Sequence, residues 1–258
     1  MKTYRFAYGS GTVEFPLEEK NIIGELHGNE VEPISDIRRE LWASLDAPID
    51  SAPLCRRVTP GSTVALVVSD MSRFWMRQDL VVPHLVDYLT QRCGVRERDI
   101  TIVIANGTHT GGDEAELRTL VTDAVYDRIT VENHDCESED LVYLGTTPHG
   151  TPVSINRTAA LADMVICLGA ATHHVMAGFG GGRKSILPGI SSRETIFHNH
   201  AFSLDAAALR SNPAVGNGIL QGNPLHEDMC EAAGLVKNLF MVNLVMNTQM
   251  RLAAIFSG

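Results

Sequence analysis

The sequence predicts an α/β fold: a mainly parallel sheet flanked by helices, with a β-rich segment at the N-terminus and a hairpin at the C-terminus. Three observations predict it. Residues 63–68, 100–105 and 164–168 (TVALVV, ITIVIA, MVICL) are short, predominantly apolar runs, as in strands buried on both faces. Helical periodicity lies between and beyond them. Each run also exits into a polar loop, where open α/β sheets bind their ligands.

The elements follow in order. Residues 3–7, 12–16 and 21–26 read as short extended segments, with a turn at Gly9-Ser10-Gly11. Ile37, Leu41 and Leu45 recur at helical spacing and predict a helix over 34–45. The Pro- and Ser-rich stretch 47–62 is a connector. After the first buried strand, 78–93 is helical, with Leu85, Leu89 and Arg92 on related faces and Gly94 as its stop. A helix starts near Asp113 after the second strand, and 158–162 is helix-like before the third. Ser191-Ser192-Arg193-Glu194 opens another helix, and 224–235 is helical. Residues 240–246 and 252–256 pair as the closing hairpin.

Composition narrows the function. The 258 residues carry 21 Lys+Arg against 31 Asp+Glu, a formal charge of −10, which argues against a nucleic-acid surface. No run approaches the roughly 18 apolar residues that span a bilayer, so no membrane role is expected. The N-terminus lacks a signal-peptide core, so a cytoplasmic protein is expected. Five scattered cysteines without a CxxC pair support neither a disulfide framework nor a cysteine zinc site. Lysine is scarce: only Lys2, Lys20, Lys184 and Lys237 occur, and seventeen of the 21 basic residues are Arg.

The chemistry concentrates at the three strand exits. They read Ser69-Asp70-Met71-Ser72-Arg73, then Asn106-Gly107-Thr108-His109, then Gly169 to His174 followed by a glycine run. Parallel strands put Asp70, Arg73, His109 and His174 on one rim. The densest segment is 177–200, AGFGGGRKSILPGISSRETIFHNH. Gly178 and Lys184 have the spacing of a phosphate loop, but Arg183 stands where that loop needs Gly, and Pro188-Gly189 interrupts the helix it requires. Four of the ten histidines fall between His173 and His200. A zinc hydrolase built on this cluster is therefore an alternative, although His198 and His200 diverge if helical. A non-catalytic binding module of the same fold is another.

Taken together, Asp70-x-x-Arg73, Asn106-Gly107-Thr108-His109, the run from His174 through Gly178, Gly181, Gly182, Lys184 and Ser185 to Pro188-Gly189, then Glu194-Thr195-Ile196 and Asn199-His200 resemble the nickel-pincer-nucleotide-dependent lactate racemase family. The resemblance implies a racemase or epimerase of a 2-hydroxy acid, lactate or a relative. It implies a pyridinium-3,5-bisthiocarboxylic acid mononucleotide that grips nickel, held covalently by Lys184 and absent from preparations made without the maturation enzymes. His200 would ligate nickel, and His109 and His174 would be the acid/base pair. Arg73 would bind the substrate carboxylate, Asp70 would support the cofactor or orient the neighbouring histidine, and Gly181 and Gly182 would support the cofactor. Phe74, His173, Val175 and Thr110-Gly111-Gly112 depart from the family pattern, all on the substrate side. Family members are longer, so residues 1–258 are expected to be the N-terminal, cofactor-binding domain of a two-domain enzyme whose C-terminal domain lies outside this chain.

Overall fold

A computed structural model describes residues 1–9 and 11–258, in two compact units, Met1–Val31 and Glu32–Gly258. In the first, β1 (Lys2–Tyr8) and β2 (Gly11–Leu17) pair antiparallel, from Lys2 opposite Leu17 to Tyr8 opposite Gly11. Of the turn expected between them, Gly9 has φ +57°, and Ser10 lies outside the described residues. The extended segment expected over 21–26 is not a strand. A 3-10 turn spans Glu19–Asn21, and Glu25 instead accepts hydrogen bonds from Lys2 (2.8 Å) and Tyr4. Side chains hold this segment without a ladder, and Ile23 and Leu26 stand fully exposed.

The second unit begins with α1 (Ile37–Asp46), capped by Asp36, whose side chain accepts from the Arg39 N–H. The connector that follows contains one helical turn, Leu54–Arg57. Strand β3 (Val64–Ser69), α2 (Val82–Gln91), β4 (Ile100–Ala105), α3 (Glu114–Val121) and β5 (Thr130–Asn133) then alternate. A small hairpin, β6 (Val142–Thr146) with β7 (Pro152–Ile155), leads to β8 (Met164–Ala170). Two helices, α4 (Arg193–Ala201) and α5 (Pro224–Gly234), precede β9 (Leu239–Met246) and β10 (Leu252–Ser257). The main sheet runs β10-β9-β8-β3-β4-β5 and is parallel except for the β9–β10 pair.

Strand alternation explains why the apolar runs are unbroken. Val64, Leu66 and Val68 join Ile102, Ile104, Ile166 and Leu168 on one face, covered by Leu41 and Leu45 of α1, Leu85 and Leu89 of α2 and Leu117 of α3. Ala65, Val67, Val103, Val165 and Cys167 pack on the other face against Ile186, Ile190, Ile196 of α4 and Met229 of α5. With both faces covered, neither register of side chains can be polar. Among the described residues, no helix is long and apolar enough to cross a membrane.

One helix boundary and three strands depart from expectation. The helix expected over 78–93 starts at Val82, because Arg77 is left-handed (φ 52°) and 78–80 form a 3-10 turn. The buried Gln78 amide donates to the Ser69 carbonyl (2.8 Å) and accepts from the Ser69 N–H (3.1 Å), so it braces the end of β3 like a ladder partner. Strands β5, β6 and β7 are not expected from the sequence, being short and only half-buried.

His134 ties the end of β5 to the loop beyond β8. Its backbone N–H donates to Ile104, and its buried ring is 2.9 Å from the Ser191 carbonyl through Nε2. Burial pushes its pKa below the ordinary value. The unfolded chain therefore takes up the proton first, and the fold loses stability as pH falls below about 6.5. In thermal melts between pH 7 and 5, a His134→Gln variant is expected to lose less of its melting temperature than the wild type. Equal slopes in the two proteins would remove His134 as a source of acid sensitivity.

Candidate active site

The carboxyl ends of β3, β4 and β8 lie side by side, with Ser69 opposite Ala105 and Val67 opposite Cys167. The three loops predicted to carry the chemistry therefore share one rim. Asp70 leaves β3 and precedes the 3-10 stretch Met71–Met76. Its Oδ1 accepts from the Ser72 hydroxyl at 2.6 Å, and its Oδ2 lies 2.5 Å from His109 Nδ1. Arg73 Nη1 stands 3.8 Å from Asp70 Oδ1 and also donates to Ser72 Oγ, and its side chain remains partly open. A turn brings His109 round, its N–H donating to the Asn106 carbonyl at 2.9 Å.

The third loop is the most constrained. His173–His174 bridges antiparallel to Gly178–Phe179, and the chain then crosses the end of β8. There Gly181 has φ +74° and ψ −179°, a conformation open in practice only to glycine. A Cβ at Gly181 would lie 2.4 Å from Asn243 Oδ1, while a Cβ at Gly169 would meet the Gly181 backbone at 2.9 Å. Asn243 Oδ1 accepts the Gly182 N–H at 2.8 Å and so fastens the glycine run to β9. Gly182–Ser185 then forms only a 3-10 turn, not the helix a phosphate loop would need. Asn243 was not expected. Its one signal is a lone amide within the strand LFMVNLVM.

Lys184 and His200 close the site. Lys184 Nζ lies 2.7 Å from His174 Nε2, and His174 Nδ1 accepts the N–H groups of Met176 (3.2 Å) and Ala177 (3.1 Å). Burial, with Arg73 and Arg183 nearby, brings the Lys184 amine down to about 7. Burial, then Lys184 and Arg73, bring His174 down to about 4. His200 sits in the last turn of α4, where burial and then Lys184 lower its pKa. Among the described residues its buried Nδ1 has no hydrogen-bond partner. The helix is locked in place by Asn199, which donates to the Leu225 carbonyl (3.0 Å) and the buried Asp228 carboxylate (2.7 Å).

These residues surround one cavity of about 360 Å³. Arg73, His109, His174, Gly181, Lys184 and His200 line it, with Trp75, Met176 and Phe197 among its apolar walls. Asp70 acts on it through His109, and Gly182 supports it through Asn243. The histidine cluster considered for zinc does not assemble. His173 stacks on Phe179 with ring centroids 4.8 Å apart, and His198 turns to Thr151, 3.1 Å from its hydroxyl. Among the described residues the group able to converge on a metal is His149, Asp228 and Glu231, where His149 Nδ1 already pairs with Glu231 at 2.8 Å.

The pattern of the lactate racemase N-terminal domain matches residues 8–211. The chain is 28% identical, over its whole length, to the lactate racemase of Thermoanaerobacterium thermosaccharolyticum, and 28% identical over 97% of its length to that of Lactiplantibacillus plantarum. It spans only 59% and 58% of those proteins. The lactate racemase apoprotein structure from T. thermosaccharolyticum superposes with a TM-score of 0.83 at 27% identity, covering all of this chain and 59% of that one. A Thermotoga maritima protein solved by structural genomics shares the fold, with a TM-score of 0.65 at 22% identity over 86% of this chain and 53% of that one.

Proposed function

Because the chain belongs to the lactate racemase N-terminal domain family, we propose that it is the cofactor-binding part of a nickel-dependent racemase or epimerase acting on lactate or a related 2-hydroxy acid. What supports the reading is the meeting of Lys184, His200, two further histidines and Arg73 around one cavity. The remaining length of the relatives corresponds to a second domain that completes the site, and the enzyme works in the cytoplasm beside the maturation enzymes that make its cofactor.

The residues fit a nickel-pincer nucleotide. His200 offers a buried imidazole whose Nδ1 is unpartnered, and imidazole suits nickel. Lys184 offers an amine held near neutrality for covalent attachment. When bound, the group supplies the acceptor and donor of hydride at C2.

The chain's own side chains do the rest. Arg73, partly open at the cavity, grips the substrate carboxylate in a two-pronged ion pair. Asp70 accepts the Nδ1 proton of His109, which leaves Nε2 as the lone pair that takes the 2-hydroxyl proton. His174, also lining the cavity, is the second acid/base group, as a reaction running both ways requires. The apolar walls limit water around the reacting carbon.

The test uses the full-length protein co-expressed with cofactor-maturation enzymes. Pure L-lactate is expected to move to an equal mixture of enantiomers, with nickel in stoichiometric amount and added mass on the Lys184 peptide. A nickel-loaded protein that interconverts no 2-hydroxy acid would sink the reading and favour a binding module.

A further inference from the structure

The hydrogen bonds around His174 fix more than its position. Two backbone N–H groups, from Met176 and Ala177, point at Nδ1, so that nitrogen carries a lone pair and no proton. In the neutral ring the proton then sits on Nε2. Nε2 faces Lys184 Nζ at 2.7 Å, and an N–H there needs an acceptor. An ammonium has three donors and no lone pair, whereas a free amine has one. We propose that His174 acts first on the protein itself, holding the Lys184 side chain as an unprotonated amine and so preparing it as a nucleophile for cofactor attachment.

The surroundings push the same way. Arg73 and Arg183 lie near enough to Lys184 to disfavour a third positive charge. His200, on α4 in the same cavity, is lowered by burial and then by Lys184. Among the described residues no carboxylate pairs with Lys184. Burial, ahead of the neighbouring cations, lowers Lys184 to about 7 and His174 to about 4, so both lean toward their uncharged forms.

This gives the two cavity histidines different starting states. His109, with its Nδ1 proton on Asp70, presents a lone pair. His174 presents an N–H and is no proton acceptor at Nε2 while the amine is free. Once the Lys184 nitrogen has attacked an activated acyl-type carbon, expelled its leaving group and given its proton to solvent, its lone pair is delocalised and ceases to accept. The Nε2 proton then loses its partner, and the ring is released for substrate. His174 thus serves Lys184 before it serves a 2-hydroxy acid. The inference rests on the reading above only for what is attached at Lys184.

The experiment uses the full-length protein with Lys184 unmodified, wild type and His174→Phe, exposed to trace acetic anhydride across pH 5.5–10. The amine attacks one carbonyl carbon, a C–N bond forms, acetate leaves, and the amine proton goes to solvent. Peptide masses report labelling at Lys184, with Lys2, Lys20 and Lys237 as internal references. Wild-type Lys184 is expected to reach half-maximal labelling near pH 7. The Lys184 curve is read against the labelling of the other three lysines at each pH. In His174→Phe, which keeps the bulk but has no N–H, the Lys184 midpoint should rise by about one pH unit, one hydrogen bond's worth. A wild-type midpoint that tracks the other lysines, or one unchanged in His174→Phe, overturns the proposal. Nitrogen-15 spectra of the wild-type ring give an independent reading, expected to show a protonated Nε2 and a bare Nδ1, and the opposite tautomer refutes the proposal even if the variant does not fold. None of these readouts involves turnover, so they stand or fall separately from a racemisation assay.

Discussion

Lys184→Met in the full-length protein is expected to lower lactate racemisation by more than about a thousandfold, a loss of at least ~4 kcal/mol of transition-state stabilisation. Methionine keeps an apolar stem but removes the one lysine amine among the described residues that line the cavity. On the proposed function, the C2 hydrogen, next to a carboxylate, is too weakly acidic for the histidines to remove as a proton. They would move only the hydroxyl proton, so a chain without the attached group would lack a carrier for the hydride. Chiral chromatography of the product measures the loss. Intact mass should show no adduct on the variant. Retention of more than about a tenth of wild-type turnover would show that attachment at Lys184 is not needed for the chemistry.

Asp70→Asn is expected to cost about 10²–10⁴-fold in kcat, with the fold and the Lys184 adduct intact. Asp70 accepts two side-chain hydrogen bonds through different oxygens, from Ser72 at 2.6 Å and from His109 at 2.5 Å. Asparagine has one oxygen for these two donors. If the amide oxygen keeps Ser72, the NH₂ group faces His109 Nδ1 and forces the tautomer whose Nε2 carries a proton. If it keeps His109, the NH₂ group instead faces Ser72, whose hydroxyl loses its acceptor, and in either orientation Arg73 loses the neighbouring negative charge. The first orientation lowers kcat most, and a rise in KM reports the displacement of Ser72 and Arg73. Steady-state kinetics therefore separate the tautomer role from carboxylate positioning. An unchanged kcat would remove His109 from the proton-transfer step.

Much of this molecule is legible in the chain itself. The runs at 63–68, 100–105 and 164–168 could be read as strands because both faces are covered, which leaves no polar alternation to confuse with a surface strand. The capping residues Asp113 and Ser192 mark helix starts through short-range hydrogen bonds, which need no tertiary partner. Lys184 stands out as the one lysine between Lys20 and Lys237, inside the most distinctive motif. By contrast, residues 21–26 have an extended pattern but no ladder partner, and Glu25 is claimed by Lys2 and Tyr4. Strand identity depends on a partner edge, which local pattern does not encode. Edge strands such as β5 are short and half-covered, so they leave almost no periodic signal.

The site divides along the same line. The sequence by itself determined which residue types stand at the strand exits, because open parallel sheets expose those loops whatever their details. Only the tertiary structure decided which of them meet. It brought His174 and His200 to the cavity while turning His173 to Phe179 and His198 to Thr151. It also chose Asn243, a strand residue 59 positions beyond Lys184, to fasten the glycine run. Spacing along the chain sets where a side chain starts. Its neighbours across the fold set its tautomer, its charge and the direction it faces, because these depend on hydrogen bonds and burial supplied by segments far away in sequence.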